Sequence, residues 1–324
     1  MWHIDRLAFS EIGGDQFGVW SEIQESHRAL ASPFFAPGFA AAIASVQSDV
    51  TVGVLRQGDT VVGFFPFQHD GSGGGRAIGE PVCDFQGIIT NLESDIPVAA
   101  LLSGCGLARW SFSHMIAEQG ALRPFRREGY DSPFIDLVGG FERYRAGRRN
   151  AGTQQLQQVG RRRRQFEREV GPLHFEASST CPEMLGALMR LKSEQYHRTG
   201  SYDRFAIPWI VALLGRLLDE RGEVFGGILS ILSTPGRLVA AHFGLRGRRT
   251  WHWWFPAYDP EFARYSPGLI LLVEMMQAAE SLGMDRIDLG RGEALYKRRF
   301  MTGVTPVYSG CVEAAAPSSS FRAT

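Results

Sequence analysis

Five ionisable or polar side chains, Asp288, Arg291, Glu293, Tyr296 and Lys297, fall within ten positions of one another near the C-terminal end of the chain. Asp288 sits inside an apolar stretch, Ile287-Asp288-Leu289, and the next residues include Gly290 and Gly292. An acidic residue in an apolar strand, followed by a glycine-rich turn, brings polar groups to the C-terminal end of a sheet strand, where α/β proteins bind ligands. Such a group can move protons and hold an anion; the plainer alternative is an ion pair between Asp288 and Arg291 that fixes the turn. Upstream, Ser266-Pro267-Gly268-Leu269 opens an apolar helical stretch. A helix N-terminus presents unpaired N–H groups and partial positive charge, so it can hold a pyrophosphate without lysines. Gly268 would let a phosphate come close to the backbone, although Ser-Pro-Gly before a helix is also ordinary capping.

The elements that must position these residues can be read from periodicity and turn chemistry. Residues 249–255 form an aromatic strand in which alternation places Trp251, Trp253 and Phe255 on one face and His252 and Trp254 on the other. Before it come helices over 182–199 and 208–220 and a hairpin of 224–232 with 237–245, turning at Thr234-Pro235-Gly236. After it come a long helix that starts near Ser266-Pro267-Gly268, with proline in its first turn, and ends at Gly283 as C-cap, then a short strand at 287–289, a helical piece at 293–301 and a β-rich stretch at 304–312. The first half has the same order. Helical material at 17–30 and 37–46 precedes a hairpin of 50–55 with 61–67 around Gln57-Gly58-Asp59. A glycine-rich loop at 71–75, strands at 85–90 and 109–112, a helix at 97–103 and a strand at 133–137 follow. This repeated order predicts an α/β chain of two tandem domains, 1–140 and 155–312, each a mixed β-sheet flanked by helices. A basic linker helix spans 141–170, and 313–324 is expected to be a disordered tail.

Composition narrows the function. The chain has 324 residues, 44% hydrophobic and 21% charged, with a formal net charge of zero, so it is a globular protein and not a generic polyanion binder. Of its 34 basic residues only Lys192 and Lys297 are lysines; in so arginine-biased a chain a lysine carries information. Four scattered cysteines, Cys83, Cys105, Cys181 and Cys311, show no zinc spacing, so no metal is expected. No secretory signal and no run long enough to span a bilayer is visible, which makes the cytoplasm the expected compartment.

Several chemistries are excluded. Neither lysine follows a glycine, so there is no phosphate-binding P-loop. No G-x-S-x-G elbow and no H-E-x-x-H helix occurs. Arg161, Arg162, Arg163 and Arg164 form a run inside a stretch, 141–170, that carries nine arginines against three glutamates. Four consecutive residues point around the whole helix, so they cannot all face one ligand. The run is either a solvated face with Glu–Arg pairs or a site for an anion, such as CoA phosphates or a charged acceptor. No aromatics are interleaved to stack on bases, which argues against nucleic acid.

From residue 141 to 308 the sequence resembles the CelD/BcsL-like acetyltransferases, a branch of the GNAT superfamily associated with cellulose and exopolysaccharide biosynthesis. The residues that carry the resemblance are the arginine run, Leu238-Val239-Ala240-Ala241, Tyr258-Asp259-Pro260, Ser266-Pro267-Gly268 with Leu271, Gly283, and Asp288-Leu289-Gly290-Arg291-Gly292 with Tyr296-Lys297. Trp20, Pro33-Phe34-Phe35 and Asp84 extend it into the first half. That family is in turn similar to the two-domain Fem peptidyltransferases. The resemblance implies acetyl-CoA or another acyl-CoA as co-substrate, held at Ser266, Pro267, Gly268 and Leu269 with Arg291 and Lys297 nearby. The aromatic strand and the helix from 267 would splay to admit it. The acceptor, a small molecule or saccharide, would attack the thioester directly. Tyr296 would protonate the departing thiolate, and Asp288 or Glu293 would orient or deprotonate the acceptor. The sequence departs from the usual GNAT phosphate loop, since no second glycine follows Gly268 at the expected spacing. Two other readings are a Fem-like transferase using aminoacyl-tRNA, for which the arginine helix would be the tRNA contact, and a non-catalytic accessory protein of an exopolysaccharide machine. The oligomeric state is not written in the sequence.

Overall fold

A computed structural model describes residues 2–92 and 94–314. Most of the tail expected from 313 lies outside the described residues; Glu313 itself ends a strand. The chain divides into two compact units, one formed by residues up to Tyr130 together with the chain from Pro306, the other by Asp131–Thr305.

The first unit begins with β1 (Trp2–Ala8), α1 (Gly14–Ser26), α2 (Pro37–Ala44) and the hairpin β2 (Val50–Gln57) and β3 (Thr60–His69). β4 (Gly74–Ala77), β5 (Ile89–Thr90), α3 (Val98–Cys105) and β6 (Arg109–Ile116) follow, and β7 (Arg126–Asp136) starts in this unit and continues as a strand of the second. The predicted hairpin turn is present, with Gly58 at φ 60°, where glycine pays no Cβ penalty. β1 and β3 flank β2 in antiparallel register, β5 and β4 both pair with β3, and β4 runs parallel to β6. The core gathers Phe65, Phe67, Trp110 and Phe112. Trp20 of α1 stacks on Phe64 at 4.8 Å and donates its indole N–H to Phe35 O at 2.8 Å. Its place in the resemblance is therefore structural: it ties the α1 face to the loop carrying Phe34 and Phe35.

The second unit opens with α4 (Gly140–Asn150), α5 (Gln155–Glu169), β8 (His174–Ser179), α6 (Pro182–Thr199) and α7 (Pro208–Asp219). β9 (Gly226–Thr234), β10 (Arg237–Arg246), β11 (Thr250–Tyr258), α8 (Pro267–Ala278), β12 (Arg286–Asp288), α9 (Leu295–Phe300) and β13 (Gly303–Glu313) complete the chain. β13 passes back into the first unit, where it pairs with β6. Within the second unit the strand order is β7-β12-β11-β10-β9-β8. Only β11 and β12 run parallel; the other neighbours are antiparallel.

Helices cover both faces of this sheet, as the pleat of β9 shows. Gly227 points at Leu217 O of α7, which a Cβ would meet at 2.5 Å, while its neighbour Ile228 belongs to the core cluster of α8. That cluster includes Leu232, Val239, Trp251, Trp253, Leu271, Met275 and Phe300. Both units are thus mixed sheets flanked by helices, the expected fold class.

Candidate active site

The geometry of the site starts from the pairing of β11 with β12. Their register holds for three positions, Thr250↔Arg286, Trp251↔Ile287 and His252↔Asp288. Beyond it β11 runs on to Tyr258, while Leu289 turns to β7 and donates its N–H to Pro133 O at 2.9 Å. The two parallel strands therefore fork at His252 and Asp288.

β11 is also bulged inside the fork. Phe243 of β10 faces Phe255 and Leu245 faces His252, so Trp253 and Trp254 together oppose Gly244. A bulge leaves a ladder N–H without its strand partner, and His242 takes it up: Trp254 N–H donates to His242 Nε2 at 3.1 Å. An accepting Nε2 puts the proton of the neutral ring on Nδ1, a buried atom with no partner. His242 is fully buried, its ring stacks on Trp253 at 4.5 Å and 9°, and burial holds its pKa well below the ordinary histidine value. Gly244 makes the arrangement possible, since a Cβ there would collide with His252 O and the His242 ring.

The bulge corrects the alternation read from the sequence. Trp251 and Trp253 do share the face packed against α8. Phe255 is moved to the other face, where its ring lies 5.2 Å from Phe205, between α6 and α7.

Tyr296, in the first turn of α9, meets this strand. Its hydroxyl accepts a hydrogen bond from Trp253 Nε1 at 3.1 Å, and its ring packs on the α8-side core. Burial pushes its pKa up to about 12, partly offset by the Trp253 N–H. The C-terminal end of α9 is pinned by α4: Tyr144 Oη donates to Phe300 O at 2.8 Å, and Arg148 donates to Arg299 O at 2.6 Å and Met301 O at 3.1 Å. Lys297 Nζ donates to Gly290 O at 2.9 Å and Arg291 O at 2.8 Å, closing the turn that follows β12.

Sequence reasoning passed over Lys192. It is 9% exposed, donates to Pro256 O on β11 at 2.9 Å and to Gln195 Oε1 at 3.3 Å, and lies near the Tyr196 ring. Burial, and then the charge of Lys297, lower its pKa to about 8. The only two lysines of the chain are therefore both buried and close enough to feel each other's charge. Arginine could not replace them in this respect, because a guanidinium stays charged at any accessible pH. The scarcity of lysine was the signal that could have found Lys192; the bulge and the role of His242 had no local signature.

The remaining expected residues divide. Asp288 is buried and bound to Arg286 Nε at 2.7 Å, so the ion pair anticipated with Arg291 is made with Arg286 instead. Arg286 is also held by Thr305 Oγ1 at 2.7 Å and by the Phe134 ring at 3.7 Å. Glu293 has a side chain 91% exposed and 3.7 Å from Arg298, so it is not drawn to Tyr296.

At the N-terminus of α8, Ser266 is the one non-glycine residue with positive φ among the described residues, at 53°. Its side chain makes no cap; Arg162 donates to Ser266 Oγ, and Arg163 binds Glu274 of the same helix. Leu269 N–H and Ile270 N–H both turn back to Ser266 O, at 2.9 and 3.3 Å. With Pro267 lacking an N–H, the Gly268 N–H is the first-turn donor that makes no hydrogen bond among the described residues. A Cβ at Gly268 would touch only the Tyr258 ring, at 3.6 Å, which also shows that this helix end stands beside the far end of β11. Two of the four consecutive arginines thus tie α5 to α8. Among the described residues no three His, Cys, Asp or Glu side chains gather as a metal site, and no helix is long and apolar enough to cross a membrane.

Comparison with known proteins agrees with this geometry. Residues 153–298 match the acetyltransferase (GNAT) domain family. No curated protein matches the sequence. Among solved structures, FemX has a TM-score of 0.62 at 10% identity, covering 96% of this chain and 97% of that one. The C-terminal domain of a protein described as a lysylphosphatidylglycerol synthetase, from Agrobacterium fabrum, has a TM-score of 0.58 at 13% identity, covering 93% and 92%. A tandem GNAT protein from the clavulanic acid biosynthesis pathway has a TM-score of 0.54 at 11% identity, covering 98% and 100%. At such identities the likeness is one of fold, and it extends over more than nine-tenths of the chain. Residues 153–298, which contain the fork, the bulge and Tyr296, form a GNAT-type acetyltransferase domain.

Proposed function

We propose that this protein transfers an acyl group from an acyl-CoA thioester to an amine or hydroxyl of a small-molecule or saccharide acceptor, by direct attack at the fork between β11 and β12. The observation that carries the reading is Tyr296, a half-buried phenol whose oxygen already accepts from Trp253, so that its own proton is directed elsewhere. The residues present fit a CoA thioester. Gly268 offers an N–H that makes no hydrogen bond among the described residues, at a helix N-terminus whose Ser266 is already held by the Arg162 guanidinium, and both groups suit phosphate. Ser266, Pro267 and Leu269 shape that end of the helix, and Arg291 and Lys297 shape the turn on the other side of the fork. Bound acyl-CoA would supply the activated acyl group.

With its pKa raised to about 12, Tyr296 stays protonated and serves as a hydrogen-bond donor to the leaving sulfur. A full proton transfer to a thiolate of parent pKa ~8.5 would be uphill. Lys192, with a pKa near 8, is matched to neutral pH as acceptor of the proton released by the attacking group. Asp288, held by Arg286, orients the strand end, and Glu293 can meet an acceptor only from solvent. The resemblance to CelD/BcsL-like proteins supports a saccharide or polysaccharide precursor as acceptor. The test is release of free thiol from acetyl-CoA in the presence of amino sugars and sugar hydroxyls. Acceptor-dependent release supports the proposal; CoA binding without acceptor-dependent release across such a panel would leave a non-catalytic accessory role as the better account.

A further inference from the structure

A second concentration of chemistry lies between α4 and α5, in a cleft of ≈ 400 Å³. Five of its nine lining residues are Arg145, Arg148, Arg149, Arg161 and Arg164, and none is acidic or aromatic. The helical phase of α5 explains the division of its arginines. Val159 and Phe166 are buried, and Arg162 and Arg163 reach α8. Gly160, Arg161 and Arg164 fall on the neighbouring face and line the cleft.

The arginines of the cleft differ in what already holds them. Arg148 is fixed by Arg299 O and Met301 O, and its Nε is buried with no partner. Arg145 pairs with the exposed Glu142. Arg149, Arg161 and Arg164 have no acidic partner among the described residues. Like charges lining one cleft repel one another, and an anion between them would reverse the sign of that energy.

We propose that this cleft binds a diphosphate-bearing small molecule, at a site separate from the α8 N-terminus and independent of the acyl-transfer reading. Each guanidinium presents a planar two-pronged edge that matches phosphate oxygens. A single carboxylate would leave most of the five unanswered, whereas two linked phosphates can engage the three that lack an acid. The volume lies in the range of small-ligand sites. The lack of an aromatic wall leaves nothing for nucleobases to stack on, which disfavours single-stranded nucleic acid as the occupant.

The test is calorimetric titration of the full chain with inorganic pyrophosphate at fixed ionic strength, with and without saturating CoA. The expected result is one pyrophosphate site that survives saturation with CoA and weakens at least tenfold in Arg161→Ala/Arg164→Ala. In the same variant the affinity for CoA should stay within about twofold, and the melting temperature should be unchanged because both side chains are exposed. If the double variant melts early, Arg149→Gln on its own should still weaken pyrophosphate several-fold. Four outcomes would overturn the proposal: no binding at millimolar pyrophosphate, equal binding by the variants, displacement of pyrophosphate by CoA, or binding of a single-stranded RNA oligomer while pyrophosphate does not bind.

Discussion

Trp253 Nε1 donates to Tyr296 Oη at 3.1 Å, across the fork between β11 and β12. The bond orients a phenol that is otherwise surrounded by core side chains and leaves its proton available on the open side. Removing the hydroxyl should therefore affect chemistry far more than folding. Tyr296→Phe is expected to lower the chemical step by about 30-fold or more, a threshold set just below the ~10²–10⁴-fold range of full general acid catalysis because the phenol donates a hydrogen bond and keeps its proton. CoA affinity should be unchanged, and stability should fall by about 1 kcal/mol as the indole N–H loses its acceptor. Single-turnover rates on a true acceptor, together with urea melts, check both parts. Near-normal turnover where chemistry is rate-limiting would remove Tyr296 from the mechanism.

Lys192 is expected to behave as a functional residue kept at a cost to stability. Its folded pKa is about 8, against ~10.4 for an unperturbed lysine. Between those values the unfolded chain binds more protons than the folded one, so this residue's contribution to stability rises with pH through that window. Below pH ~8 the cost is complete, on the order of 3 kcal/mol. Lys192→Met should therefore raise stability near neutrality by about 1–3 kcal/mol while lowering activity. Tyr296 acts in the opposite sense. Its folded pKa of about 12 means that its contribution is complete below pH ~10 and is lost as pH rises through 12. Denaturant melts of the wild type and of Lys192→Met from pH 7 to 10 should converge as the pH rises; a constant difference would contradict the assignment.

How far the site could be read from the sequence depends on how local its determinants are. Pro267 opens α8, and Gly236 at φ 75° makes the β9–β10 turn; both are short-range effects of one residue type, and both were legible. The bulge at Trp253 and Trp254 was not, because it depends on Gly244 of another strand leaving room for His242. The stretch Arg237–Tyr258 reads as two regular strands until those two residues are brought together. The basic linker helix expected over 141–170 is two helices, α4 and α5, broken at Gly152 with φ 72°; of the eleven residues of α4 only Tyr144 is buried, so it has almost no apolar face to set it apart from α5. Asp288 was correctly placed in a strand, but its partner Arg286 lies two residues before it, on the same face of the strand, and the glycine-rich turn drew the pairing toward Arg291 instead. β1 and β8, both short and alternating, were missed beside the stronger hairpin signals.

Gly244→Ala tests the bulge directly. The added methyl would collide with His252 O and the His242 ring, an overpacking that typically costs ~1–3 kcal/mol. It should also shift the Trp253 fluorescence environment. A variant as stable as the wild type would mean that the bulge is not held as described.

Ser266 supplies a test that separates backbone strain from ligand binding. A left-handed conformation costs a non-glycine residue roughly 1–2 kcal/mol, so Ser266→Gly should stabilise the protein by up to about 1 kcal/mol after the loss of the exposed contact with Arg162. Ser266→Gly and Ser266→Ala should leave CoA affinity within about threefold, because the nearby donors are Gly268 N–H and Arg162. Thermal melts and calorimetry read the two effects separately.

The most direct measurement is calorimetric titration of the full chain with acetyl-CoA, run in parallel on Gly268→Val. A Cβ at this position would meet only the Tyr258 ring, at an ordinary contact distance of 3.6 Å, and thermal melts of the variant check that the fold accepts the rest of the side chain. The account predicts saturable binding of acetyl-CoA by the wild type and at least a tenfold loss in Gly268→Val, where the branched side chain stands over the open N–H. Absence of binding at millimolar acetyl-CoA, or equal affinity in the two proteins, would contradict the claim that acyl-CoA is held at the head of α8.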